Sequence, residues 1–178
     1  MTIISLHGNV DDYEVTDLED GTVSVDVNGA TTTAHTNDRL SFDNGYITLS
    51  PSDPAWQVYR LYHATLGRGS DQSGLDFWVH QLNSGVTLTS AASGFVNSQE
   101  FRTTFGNNVS AQTLVTELYQ NVLNREPDSS GLDYWVGRLD SGMSRESLVT
   151  GFTESAEGVN LIGVSAAISG HHSLTVHL

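Results

Sequence analysis

The sequence predicts an α+β protein: a small N-terminal antiparallel β part, an all-helical duplicated core, and a C-terminal strand-like tail. Three observations carry this reading. Val23, Val25 and Val27 alternate with polar residues in Thr22–Val27, the period of a half-buried strand. From Trp56 onward the apolar residues recur at three to four positions, the period of a helix. The octapeptide Asp71-Gln-Ser-Gly-Leu-Asp-Phe-Trp78 returns 57 positions later as Asp128-Ser-Ser-Gly-Leu-Asp-Tyr-Trp135. These place a β segment at residues 1–50, a duplicated helical domain at 54–160 and a tail at 161–178.

In chain order, Thr2–His7 is a short apolar run and the first strand candidate. Thr22–Val27 lies between two turn signals, Glu19-Asp-Gly21 and Asn28-Gly29, the second of which favours a two-residue hairpin. Tyr46–Leu49 follows Asp43-Asn-Gly45 and gives a further strand. Together these predict one antiparallel sheet. Pro51 and Pro54 mark the change of period. Trp56, Tyr59, Tyr62 and Leu66 then form one helical stripe, and Leu114, Val115, Leu118, Tyr119, Val122 and Leu123 a second, with Ser110 as its cap. Phe95, Val96, Phe101 and Phe105 belong to helical turns between them.

Aligning residues 61–101 with 118–158 superposes Leu61 on Leu118, Tyr62 on Tyr119, Arg68 on Arg125, Trp78 on Trp135, Leu82 on Leu139, Gly85 on Gly142, Phe95 on Phe152 and Ser98 on Ser155. Such self-similarity predicts two helix–loop–helix–helix units packed with pseudo-two-fold character. Beyond residue 160, Leu161–Ile168 is apolar with small residues, and Ser173–Leu178 alternates like a strand. Strands at both extremes of the chain would be free to pair, within one molecule or between molecules.

Composition narrows the function. With 21 acidic and 7 basic residues the net charge is −14, which repels nucleic acid and anionic membrane surfaces. There is no cysteine, so thiol catalysis, disulfides and thiolate zinc sites are excluded. Met1–Asn9 lacks a basic n-region and a long apolar run. A secreted form would therefore leave without a cleavable signal peptide. No segment reaches the roughly 20 apolar residues of a membrane-spanning helix, so no membrane insertion is expected.

The duplicated loop offers two chemistries. In the first, Ser73 and Ser130 cap the following helix, Asp76 and Asp133 reach back to its free N–H groups, and Arg68 and Arg125 clamp Asp71 and Asp128. In the second, Asp71, Ser73 and Asp76, with Asp128, Ser130 and Asp133, supply oxygens to calcium. Too few donors and no distal Glu favour the first. Trp78 and Trp135 fit core packing, whereas Trp56 is the better platform for a sugar ring. The seven His show no ligand spacing, and neither a nucleophile elbow nor a phosphate loop is present. No enzyme activity is expected.

The residues Leu118–Asp128, Ser130–Trp135, Leu139, Ser141-Gly142 and Phe152–Ser155 resemble a bacterial family catalogued as domain of unknown function 4214. The first copy, Leu61–Arg68 through Asn97–Phe101, is similar, with Gly69-Ser70 in place of the usual acidic-Pro pair. The second copy carries Asn124 where Gly is usual. Arg39–Leu49 looks like the short β segment that leads into this domain in repeats-in-toxin-type proteins. That resemblance implies type I secretion with an uncleaved C-terminal signal. The Gly-Gly-x-Gly-x-Asp array is missing, so a calcium β-roll is not implied. Phycobilisome linker domains share a weaker form of the motif, but their partners suit basic chains. The combined expectation is a secreted, extracellular or cell-surface structural or adhesive protein. It would self-assemble into matrix, surface layer or filament, with calcium as the one cofactor in view. Two alternatives stand beside it: a carbohydrate-binding module for polysaccharide, and a type I secretion carrier without activity of its own.

Overall fold

The computed structural model describes residues 2–8, 13–18, 22–27, 30–35, 38–43, 45–48, 50–162 and 175–177. Its elements are β1 (Ile3–Ser5), β2 (Glu14–Asp17), β3 (Thr22–Val27), β4 (Ala30–His35), β5 (Arg39–Phe42), β6 (Gly45–Thr48), eight helices, and β7 (Thr175–His177). The α+β class predicted from sequence holds.

The β part is two sheets rather than the single antiparallel one expected. One is three-stranded, in the order β2-β3-β4, and antiparallel throughout. The other is four-stranded, in the order β1-β5-β6-β7, and mixed, because β1 runs parallel to β5. The long excursion through β2, β3 and β4 supplies the crossover that a parallel pair requires. β2 and β4 were not legible in the sequence, since neither the Glu-Val-Thr-Asp run nor the Ala-Thr-Thr-Thr-Ala-His run alternates by polarity. In the three-stranded sheet Val23 and Val25 are buried, with Ala34 opposite Val23. Val27 pairs with Ala30, the register a two-residue connection produces. Asn28-Gly29 themselves, like Glu19-Asp-Gly21, lie outside the described residues.

The two terminal strands do not pair with each other. β1 and β7 form opposite edges of the same sheet, separated by the β5–β6 hairpin. Residues 163–174, where much of the tail reading fell, lie outside the described residues.

Sheet and helices meet at Asp53. Pro54 opens helix α1 (Pro54–Leu66) at the position where its missing N–H costs nothing. Asp53 caps that helix through one carboxylate oxygen, which accepts from the Ala55 N–H at 3.0 Å. Its other oxygen takes the Arg39 guanidinium from β5. Arg39 also lies over the Tyr46 ring, 4.2 Å from its centroid. Burial pushes the Tyr46 hydroxyl up to about 12, with the Asp53 charge adding to it. Trp56, one turn into α1, is 1% exposed and donates its indole N–H to the Thr48 carbonyl of β6 at 3.0 Å. The sugar-stacking role expected for Trp56 is thereby corrected: both faces of the ring are inside the core.

The first copy continues with α2 (Gln72–Asn83), α3 (Leu88–Val96) and α4 (Gln99–Phe105). The second comprises α5 (Ala111–Leu123), α6 (Ser129–Asp140), α7 (Arg145–Thr153) and α8 (Ala156–Leu161). Each copy is thus a four-helix unit, one helix more than predicted. α1 and α5 end with Gly67 and Asn124 in the left-handed region, at φ 62° and 49°. Asn tolerates that conformation better than other residues with a Cβ, which is why it can stand in for Gly here. Equivalent helices of the two copies meet: α1 on α5, and α3 on α7. α1 packs on α7 as well and is the central helix. One apolar cluster runs from Val23 and Leu40 in the sheets to Phe152 in α7.

A cation is buried in the helical part. Arg60 is 0% exposed. It donates Nε to Glu154 Oε1 at 3.1 Å and Nη2 to both carboxylate oxygens at 2.9 Å. Nη1 donates to the Pro51 carbonyl at 3.0 Å. The pair joins the first copy to the C-cap of α7 in the second.

Candidate functional site

Each copy carries the same joint. In the first, Asp71 caps α2: its Oδ1 accepts from the Gly74 N–H at 2.9 Å and from the Ser73 hydroxyl at 2.8 Å. In the second, Asp128 caps α6, accepting from Gly131 at 2.8 Å and Ser130 at 2.5 Å. The expected cap is therefore corrected by two positions. Asp leads and Ser supports it from inside the first turn, because the carboxylate of the extended residue reaches the N3 N–H directly. Asp76 accepts from the Gln72 side chain at 2.9 Å on its own helix. Asp133 is exposed on α6.

The predicted Arg68–Asp71 pair is present, but the main grip of each Arg is on a Glu that was not predicted. Arg68 grips Glu100 of α4 with two bonds, 2.6 and 2.9 Å, and stands 3.6 Å from Asp71. Arg125 grips Glu157 of α8 at 3.1 and 3.3 Å. Each guanidinium lies over a Tyr ring, Tyr62 at 5.0 Å and Tyr119 at 4.9 Å. A fork-shaped donor prefers the two parallel oxygens of a facing carboxylate. Asp71 is left as its minor partner, having already committed an oxygen to the cap. The Gly74 N–H, then Ser73, hold the Asp71 carboxyl below the usual carboxylate range. Ser130, then the Gly131 N–H, do the same for Asp128. The Arg68 guanidinium holds Glu100 low. Glu100 and Glu157 were missed in the sequence, although their 57-residue spacing is visible beside Ser98 and Ser155.

Calcium is the other chemistry expected of this loop. The ion takes six to eight oxygens, whereas Asp71 Oδ1 already faces N–H and O–H donors and Oδ2 faces a guanidinium. Among the described residues, no three His, Asp or Glu side chains are grouped to hold a metal ion.

Behind the joint the aromatics stack inward. Phe77 meets Trp78 edge-on, Trp78 stacks on Phe95, and Phe95 meets Tyr62. Tyr134, Trp135, Phe152 and Tyr119 repeat the series. The outermost members, Phe77 and Tyr134, are 54% and 58% exposed. A cavity of about 120 Å³ lies among Tyr62, Leu66, Trp78, Gly94, Phe95, Ser98 and Glu100. Its volume is well below the roughly 300 Å³ at which ligand pockets begin.

Gly74 shows how tight the joint is. A Cβ there would meet the Tyr62 hydroxyl at 1.9 Å. Gly74→Ala is expected to cost about 1–3 kcal/mol in urea unfolding. Adding Tyr62→Phe, which removes the obstructing oxygen but leaves the ring carbon at 3.0 Å, should recover part of it. A G74A protein as stable as wild type would contradict this packing.

The sheet edges differ in how they are guarded. β1 and β7 span three residues each. β2 carries Glu14 and Asp17. Short or charged edges resist pairing with another chain. β4 is six residues long, without charge or proline, and Thr31, Thr32 and Thr33 are all exposed.

Among known families, the model described as domain of unknown function (DUF4214) matches residues 40–103 and again 92–162. The first match begins in β5, so the β5–β6 hairpin is part of the matched unit. No curated protein and no solved structure matches the chain.

Proposed function

We propose, from the premise that the chain belongs to the DUF4214 family of domains of unknown function, that it is an extracellular structural or adhesive protein that self-associates through its β part. The observation that carries this is the unguarded edge of β4 beside a helical body whose Arg68 and Arg125 are engaged in clamps. An exposed edge strand is a template for another strand. The strong negative charge and absence of cysteine suit a protein exported unfolded. Among the described residues no helix is long and apolar enough to cross a membrane.

Size-exclusion chromatography with light scattering, run with and without calcium, tests this reading. Concentration-dependent oligomers are expected in both conditions. A monomer throughout would refute it.

A second reading, polysaccharide binding, moves from the buried Trp56 to Phe77 and Tyr134. Exposed aromatic faces at equivalent positions of two copies suit two-point stacking on a repeating glycan. Glycan-array binding lost on joint Phe77→Ala and Tyr134→Ala replacement would favour it.

A further inference from the structure

We propose that β4 pairs antiparallel with β4 of a second copy of this chain, about a two-fold axis through Thr32, joining the two three-stranded sheets into one. This rests on the self-association reading and names its surface and register.

Three observations converge on it. Ala30-Thr31-Thr32-Thr33-Ala34 reads the same in both directions. Antiparallel pairing about Thr32 therefore sets Thr32 against Thr32, Thr31 against Thr33 and Ala30 against Ala34. Every position meets its own kind, in the reciprocal pairing of a two-fold interface, and Thr–Thr is a favourable cross-strand pair.

The backbone alternation fits that register. The Val27–Ala30 pair closes the hairpin, and a pair closing a two-residue connection exchanges both hydrogen bonds. Along β4, Ala30, Thr32 and Ala34 then bond inward to β3, while Thr31, Thr33 and His35 turn their N–H and C=O groups outward. The His35 N–H is satisfied locally by Asp38 Oδ2 at 3.1 Å. The outward groups of Thr31 and Thr33 are the ones that exchange bonds across the proposed axis.

Charge disfavours the opposite edge of this sheet. Two chains of net charge −14 repel, so contact is least costly where no carboxylate lies on the contacting strand. β2 brings Glu14 and Asp17 to its edge, whereas β4 brings none.

The full chain, which has no cysteine of its own, allows a register test by single substitution. Facing residues of a non-hydrogen-bonded antiparallel pair lie about 4.5 Å apart at Cα, within reach of a disulfide. Thr32→Cys is expected to form a covalent dimer on mild oxidation. Thr31→Cys faces Thr33 of the other copy, not itself, and should cross-link at least about tenfold more slowly. Thr33→Pro deletes an outward N–H while sparing the bonds to β3, and should raise the dimer dissociation constant about tenfold or more. Circular dichroism of T33P checks that the fold persists.

If oligomers form but T32C and T31C cross-link alike, the β4 register is wrong and another surface mediates association. A T33P protein that is folded and associates like wild type would equally move the contact away from β4. If wild type stays monomeric and T32C does not cross-link, both this inference and the self-association reading fail.

Discussion

Glu154→Gln is expected to lower the unfolding free energy by about 3–5 kcal/mol. Arg60, 0% exposed, would keep its charge and lose the carboxylate that compensates it. Glu154 itself is the cheaper member to leave behind, since its side chain is 31% exposed and can be rehydrated. Arg60→Met should therefore cost less than Glu154→Gln, although the Pro51 carbonyl loses its donor. The double variant R60M/E154Q should recover part of the loss, because no charge is then buried. Urea unfolding of the two single variants and the double one gives all the terms of the cycle. Equal costs for the two single variants would show that packing of the Arg60 stem, and not its charge, dominates.

Trp56→Ala is expected to cost about 3–5 kcal/mol, the range for deleting a buried aromatic. The ring touches both layers. It meets Tyr59 edge-on at 5.6 Å within α1 and reaches Thr48 of β6 through its N–H. Trp56→Phe would keep most of the volume and strand the Thr48 carbonyl, so a smaller loss of about 1–3 kcal/mol follows. The near-ultraviolet circular dichroism and the melting temperature together measure both. A Trp56→Ala protein with wild-type stability would mean that the sheet and the helices are not one cooperative unit.

The helical core was legible because its signals are local and repeated. The stripe from Leu114 to Leu123 lies on one face of α5, and all six of its residues are buried. Ser110 caps that helix, its hydroxyl accepting from the Thr113 N–H. The alternation of Val23 and Val25 identified β3 for the same reason. β4 escaped because an edge strand with exposed Thr on successive positions has no polarity period to detect. The Arg68–Glu100 clamp escaped because it spans 32 residues. Proximity in sequence favoured Asp71, but the competing N-cap had already claimed it. Arg60 could not be recognised as buried from sequence, since charged residues are placed inside only where a partner from elsewhere in the chain arrives.

That buried pair also bears on which half recognises which. Position 60 of the first copy corresponds to Glu117 in the second, and Glu154 corresponds to Asn97. Were two second copies to dock with each other, Glu117 would confront Glu154, carboxylate against carboxylate. Were two first copies to dock, Arg60 would enter the interior facing the uncharged Asn97. Only the mixed arrangement puts a cation and an anion together in the core. A chain made of two near-duplicates risks exchanging halves with its neighbours during folding. Here that exchange is disfavoured whenever like half meets like half, by a single pair of residues at which the duplication is no longer faithful.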